Sequence, residues 1–400
     1  MNRLFINSKN GHVALTEDGK LREIYINQAG HDTIVGQIIL GRLDAILPGQ
    51  FAFVDIGQGK NALMNTSRDV PLKKGQPVLV QVYKDPTGAK GAYVGTELRH
   101  KGQYVIISEN QANKIKNDIG ISQKITDPKE RKRIRTIVQQ AQPKGYSIIA
   151  RTNAEGVDSE IIASEIEALH SLHHKIKSRA QHSVFPATIY PNAKEAQLHS
   201  LLTDLLSDNL SEIWVSGNDY NEIKRTITGL IPSLEDRIIF YDEADGPGLF
   251  SAKNITTQIA TALNKTVQLP CGGFITIEQT EACVVIDVNT GRFTGQKDSR
   301  TTFLETNLEA AACIAWQIAL RNLSGIIIID FIDMKYQTDI KILLDALKSE
   351  ISKDRIKTEL VGITTLGLVQ LTRKRTREPL ARLLEKECPA CKGKGRIATE

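Results

Sequence analysis

The sequence predicts an α/β multidomain protein in which a small closed β-barrel is set among segments of mixed sheet and helix. Three observations carry this expectation. Two apolar, largely β-branched runs each end in an aspartate: Asp287 in ACVVIDVNTG (residues 282–291) and Asp330 in SGIIIIDFIDM (residues 324–334). Such runs, bounded by turn formers, read as central strands covered on both faces. Residues 34–108 break instead into five or so short β segments, the rhythm of a small barrel. Apolar strands alternate with helical stretches elsewhere, as crossover connections in a mixed sheet require.

Taken in order, residues 1–30 read as short strands, with a hairpin signal at Asp18-Gly19. From Ile34 the segments IVGQIILGRLDAI, QFAFVDIG, NALMN, QPVLVQVYKD and GAYVGTEL are broken by Pro48-Gly49, Gly57-Gln58-Gly59 and Pro86-Thr87-Gly88. An OB-fold suits that pattern, and Phe51, Phe53, Tyr83 and Tyr93 either offer bases a stacking face or fill the barrel. Thr126-Asp127-Pro128 opens a basic helix, with Thr126 or Asp127 as its cap and Pro128 in its first turn. The strand YSIIA follows, ending in Arg151-Thr152-Asn153, and then a helix from Asp158 to about Gln181. A helix over 193–208, the strand EIWVSG, another helix and the strand RIIFYDE continue the alternation. The last third predicts strands at FITIEQ, ACVVIDV, IIIID and GLVQL, with helices over 302–321 and 338–353.

Composition narrows the class. With 41% hydrophobic and 24% charged residues, the chain is an ordinary globular one rather than a disordered or fibrous one. No window approaches the roughly 20 apolar residues of a membrane span, and polar residues interrupt the start at once, so a cytoplasmic protein is expected. Five cysteines, three of them in or beside apolar patterns, fit a reducing compartment better than a disulfide framework. The net charge of +5 is mild, but cations concentrate in KERKRIR (residues 129–135) and TRKRTR (residues 372–377). Those clusters point to nucleic acid only beside other features of that kind.

Carboxylates at strand ends emerge where ligands bind to open sheets. Asp287 and Asp330, with the Asn289 amide nearby, are hard oxygen donors that suit Mg²⁺ or Mn²⁺ better than zinc. The bland alternative is that they are strand-ending caps or salt-bridge partners. A cation held there could grip a phosphodiester and activate a water. Arg373, Lys374 and Arg375 follow the strand GLVQL; placed beside the acidic strands, they could neutralise charge on phosphorus. These residues alone fit a nuclease, a phosphatase or a nucleotide-binding protein. Near the end of the sequence, Cys388-Pro-Ala-Cys391 followed by Gly-x-Gly forms a knuckle able to present two thiolates. Tetrahedral zinc needs four ligands and no second such pair exists. Two chains would share the ion, or the pair is redox-active, or it is inert.

VVIDVNTGRFTG, TNLEAAACIAWQIALRNLSGIIIIDFIDM and CPACKGKG, in this order, closely resemble the catalytic core of the bacterial ribonuclease E/G family, and the resemblance extends over nearly the whole chain. It implies Mg²⁺-dependent endonucleolytic cutting of single-stranded, often AU-rich RNA, leaving 5′-phosphate and 3′-hydroxyl ends. It implies an RNase H-like domain (1–33 and 188–262) interrupted by an OB-fold (34–108) and a 5′-sensor region (109–187). A DNase I-like catalytic domain (263–382) and a zinc-link (383–400) follow. The metal-binding aspartates fall on Asp287 and Asp330 and the catalytic asparagine on Asn289. The base-stacking phenylalanine falls on Phe53, a lysine of the barrel on Lys90, and the 5′-monophosphate pocket on Arg151 and Thr152. Cys388 and Cys391 would hold zinc shared across a homodimer.

Some positions depart from the family pattern. Leu63 stands where a second stacking aromatic is expected, and Gln123-Lys124 where paired arginines are. Lys357 stands for a basic residue before the last strands. The sequence ends nine residues after Cys391, so a dimer is expected rather than a dimer of dimers. The expectation is thus an endoribonuclease of the short type acting in rRNA processing or mRNA decay. Its rivals are a non-catalytic RNA-binding or ribosome-assembly protein on the same fold and, more remotely, a chaperone-like zinc protein.

Overall fold

A computed structural model of the chain describes residues 1–27, 33–47, 51–66, 73–86, 90–110, 118–191, 193–244, 246–291, 299–391, 393 and 395. Two compact units are present. One comprises Met1–Ile26, Ser211–Asn218 and Ile239–Glu400; the other comprises Asn27–Leu210 and Asp219–Ile238.

The first unit holds two sheets. The N-terminal strands Asn2–Asn7, His12–Glu17 and Lys20–Tyr25 pair in antiparallel sequence, and Leu210–Ser216 and Ile238–Tyr241 extend them on the Asn2–Asn7 side. The expected hairpin is present, with Asp18 and Gly19 at φ of 50° and 79°. Two consecutive left-handed residues match the right-handed twist of the strands, and Asp and Gly adopt them cheaply. Phe5, Ala14, Leu21 and Ile24 pack with Leu249, Ile255 and Leu320 beneath this sheet.

The second sheet runs in the order Thr266–Gln268, Phe274–Gln279, Cys283–Asn289, Gly325–Asp330, Val369–Arg373 and Thr358–Ile363. Cys283–Asn289 and Gly325–Asp330 pair in parallel, joined by a crossover through the helix Ser299–Leu320; the other pairings are antiparallel. Val284, Ile286, Ile327, Ile329, Val369 and Leu371 form its buried face, packed on Ala310, Ala311 and Ile314 of that helix. Leu343 and Leu347 of Gln337–Ser352 join the same core. Here the structure corrects the sequence reading. The strands are not covered on both faces: Ile326 is 53% exposed and Val361 62% exposed on the other side. Both helices lie on one side, so the apolar run hides an alternation of buried and open positions that composition alone does not reveal.

The second unit contains the barrel and a four-stranded sheet. Ile38–Leu47 pairs with both Phe51–Asp55 and Pro77–Lys84, which closes a ring through Ala62–Asn65 and Tyr93–Gly95. Closure leaves no free edge among these strands, and Ala187–Tyr190 adds to Ile38–Leu47. Ile39, Ala52, Val54, Met64, Val80 and Val94 fill the interior. Ile119–Ile121, Tyr146–Ala150, Val105–Glu109 and Arg99–Lys101 make the other sheet, covered by the helices Pro128–Ala141 and Ser159–Gln181. Asp127 caps the first of these helices by accepting from the Lys129 N–H at 3.0 Å, with Pro128 in its first turn, where the missing N–H costs nothing. The helices Ala193–Leu205 and Tyr220–Leu230 belong to this unit, although the strands between and after them belong to the first.

Candidate active site

The parallel pairing of Cys283–Asn289 with Gly325–Asp330 sets Asp287 directly opposite Asp330. Adjacent strands lie about 4.8 Å apart, so both carboxylates project from one face at the carboxyl ends of neighbouring strands. Both are exposed, because they occupy the open positions of the alternation. Asn289, two residues beyond Asp287 and therefore on the same face, donates its Nδ2–H to Asp287 Oδ2 at 2.6 Å. The carboxyl of Asp330 is held above the ordinary carboxylate range, first by partial burial and then by the negative charges of Asp287 and Asp333. Burial and like charge both disfavour the ionised form. Among the described residues, no three His, Cys, Asp or Glu side chains gather closely enough to hold a metal by themselves. Two carboxylates instead leave most of an octahedral shell for water and phosphate oxygens, which suits a hard divalent cation. The rest of the loop read from the sequence, Arg292 to Gly295, lies outside the described residues.

The structure does not bring Arg373 or Arg375 to this end. Val369–Arg373 runs antiparallel to Gly325–Asp330, pairing Arg373 with Gly325 and Val369 with Ile329. Arg373 therefore lies beside the start of the strand that Asp330 ends, about 17 Å away at 3.3 Å per residue. Its guanidinium is buried, donating to Asp354 Oδ2 at 2.7 Å, Asn322 Oδ1 at 2.8 Å and the Leu323 carbonyl at 3.0 Å. Arg375 is exposed beyond the same strand end. The sequence predicts the strand GLVQL but neither its place beside the acidic strands nor the direction in which it runs. Lys357 pairs with Glu359 at 2.5 Å.

In the second unit, the outer surface of the barrel carries a row of side chains. Phe53 pairs with Leu63, and Leu63 with Tyr93, across three strands. All three alternate with buried neighbours, so they face outward rather than filling the barrel. Lys84 approaches the Tyr93 ring, with Nζ 5.9 Å from its centroid, and Lys90 is exposed just before that strand. At the end of Tyr146–Ala150, the Thr152 and Ser122 hydroxyls lie 2.9 Å apart, with the exposed Gln123-Lys124 pair following Ser122. Arg151 turns the other way: Nη2 donates to Asp204 Oδ1 at 2.6 Å and Nη1 to the Gly102 carbonyl at 2.6 Å. Lys101 binds the other oxygen of Asp204 at 2.5 Å, so one carboxylate ties two cations together. Asp204 was not legible in the sequence as a partner, being 53 residues from Arg151.

At the knuckle, all five cysteines of the chain are free thiols. The Cys388 thiol is lowered below the usual cysteine range by the Cys391 and Ala390 backbone N–H groups. Gly393 and Gly395 adopt φ of 78° and 67°, a left-handed backbone conformation that glycine enters without a Cβ penalty.

An open sheet ending in paired carboxylates and a closed five-stranded barrel together fit a protein that handles phosphodiesters, nucleases among them. Residues 101–376 match the Ribonuclease E/G family. The chain is 36% identical over 410 residues to ribonuclease G of Haemophilus influenzae, covering 97% of this chain and 82% of that one. It is 35% identical over 410 residues to ribonuclease G of Escherichia coli (strain K12), with the same coverage. Ribonuclease E of a Nostoc species is 32% identical over 399 residues, 96% of this chain and 57% of that protein. The chain belongs to the ribonuclease E/G family. It is an endoribonuclease and an RNA-binding hydrolase with an OB-like barrel. Among the described residues, no helix is long and apolar enough to cross a membrane.

Proposed function

We propose that the chain cuts single-stranded, AU-rich RNA in a Mg²⁺-dependent reaction that leaves 5′-phosphate and 3′-hydroxyl ends, in cytoplasmic rRNA processing or mRNA decay or both. The in-register opposition of Asp287 and Asp330, with Asn289 hydrogen-bonded to the first, carries this reading. Asp287 and Asp330 would hold the ion; Mn²⁺ would satisfy the same donors. When bound, the cation neutralises charge on the phosphate and acidifies a water for attack. A carboxamide has two N–H donors, and with one on Asp287, Asn289 offers the other to a phosphate oxygen. Arg373 has no part in this chemistry. Cleavage of a 5′-labelled AU-rich oligonucleotide in Mg²⁺ and in EDTA tests the reading. Internal cuts only with the metal are expected; tight binding without cleavage in either Mg²⁺ or Mn²⁺ would leave an RNA-binding protein instead.

On the barrel, Phe53 and Tyr93 would stack bases on either side of Leu63, with Lys90 near the backbone. Arg151 and Thr152 would engage a 5′-monophosphate, with the Arg151 guanidinium exchanging its Asp204 contact for the dianion and the Thr152 hydroxyl adding a donor. Arg151→Ala is expected to slow cleavage of 5′-monophosphorylated RNA about tenfold, the scale of losing one charged hydrogen bond, and to spare 5′-hydroxyl RNA. Equal slowing of the two substrates would mean that the Asp204 contact serves stability alone.

Cys388 and Cys391 would hold zinc together with the same pair from a second chain, making a homodimer. Metal analysis should give about half an ion per chain, four thiolates completing one tetrahedral site. Cys388→Ser should remove the zinc and yield monomers on sizing; one ion per chain would exclude the shared site.

A further inference from the structure

The helix Ser299–Leu320 does more than cross over between the acidic strands. From its buried side, Glu309 accepts the Cys271 N–H at 2.8 Å, holding the turn that leads into Phe274–Gln279. Two residues earlier, Asn307 donates Nδ2–H to the Ile332 carbonyl at 2.8 Å and accepts the Ile332 N–H through Oδ1 at 3.0 Å. Asn307 is 0% exposed among Ala310, Ala311 and other apolar side chains. A buried carboxamide costs free energy unless its donors and acceptor are satisfied, so leucine, of nearly the same shape, would serve the core as well or better. What the amide does and leucine cannot is grip both polar groups of one backbone residue. Ile332 lies between Asp330 and Asp333, in a segment that has left the sheet and has no ladder to hold it.

We propose that Asn307 is a positioning residue for the metal-binding end of the sheet: by clamping Ile332 it fixes the turn that sets the direction of the Asp330 carboxylate. This rests on the reading of Asp287 and Asp330 as the cation's ligands. Asp330 stands directly opposite Asp287 across the parallel ladder, so a shift of the turn that follows it changes the spacing of the carboxylate pair. Such outer contacts typically account for 10- to 100-fold in metal affinity.

The test uses Asn307→Leu and Asn307→Ala in the full chain, with Mn²⁺ binding read directly by electron paramagnetic resonance, without RNA. Mn²⁺ affinity should fall about tenfold or more. The Mg²⁺ concentration for half-maximal cleavage should rise by the same factor, while KM for RNA at saturating metal stays unchanged. Wild-type Mn²⁺ affinity in folded Asn307→Leu would overturn the proposal. Should both variants fail to fold, hydrogen exchange of the wild-type protein decides: the Ile332 amide should be protected as well as the neighbouring strand, and exchange at the free rate would overturn the clamp. An Asp287→Asn variant run alongside separates the two levels. If it binds Mn²⁺ like wild type, the ligand assignment itself fails, whatever Asn307 does.

Discussion

Asp287→Asn and Asp330→Asn are each expected to lower kcat on the order of 10³-fold, the upper end of what losing one preorganised electrostatic contact costs, while RNA binding in EDTA is retained. The substitution keeps the shape but replaces one acceptor oxygen by a donor and removes the charge that would hold a divalent ion. The same carboxylates predict a stability effect whose sign follows from linkage. Asp330 holds its proton more tightly in the folded chain than in the unfolded one. Its contribution is therefore fully present only below the unfolded carboxyl pKa and is lost as pH rises through the folded value. At neutral pH the ionised Asp330 is a net cost, which a cation binding the folded state would offset. Mg²⁺ should accordingly raise Tm of the wild-type protein. Asp330→Asn should be at least as stable as wild type without metal and should not respond to it. Cleavage at the wild-type rate by either variant would sink the metal assignment.

The largest stability loss is expected at Arg373, which lies at the opposite end of the strands from Asp330. Its side chain is 2% exposed and its partner Asp354 8% exposed. Removing one member of a buried pair strands the other charge, at a cost of about 3–5 kcal/mol. Against a typical total of about 5–15 kcal/mol, Arg373→Ala should sharply lower the urea midpoint for unfolding. Arg373→Met combined with Asp354→Leu removes both charges and should recover most of the loss, because apolar packing can replace a buried ion pair. A loss below about 1 kcal/mol, with cleavage nonetheless abolished at a permissive temperature, would return Arg373 to the reaction.

The two arginine readings show where one-dimensional information ends. TRKRTR and ARTNA both read as cations following strands, and both strands formed where expected. Whether such a cation faces a ligand depends on strand direction and on distant partners. For Arg373 the antiparallel register sends it to the far end, into Asp354 and Asn322. For Arg151 a helix some fifty residues later supplies Asp204. The barrel shows the reverse case. The alternation in FAFVD was visible as a pattern, yet only cross-strand register shows that Phe53, Leu63 and Tyr93 form one row on the outside. Leu63, read as a lost aromatic, has one immediately beside it.

Asn307 lies inside TNLEAA, but a polar residue in an apolar helix carries no mark of what it bonds. The family, the strands ending in Asp287 and Asp330, the hairpin at Asp18-Gly19 and the cap at Asp127 are all local in origin. They follow from side-chain branching, turn chemistry and short-range hydrogen bonding, which act between residues a few positions apart and so are written in the sequence itself. Which face of the second sheet stays open, which way Val369–Arg373 runs, and which partner satisfies each buried polar group depend on contacts between residues tens to hundreds of positions apart. Those are selected by the packing of the whole unit, because a buried charge or amide must find a partner wherever the fold places one.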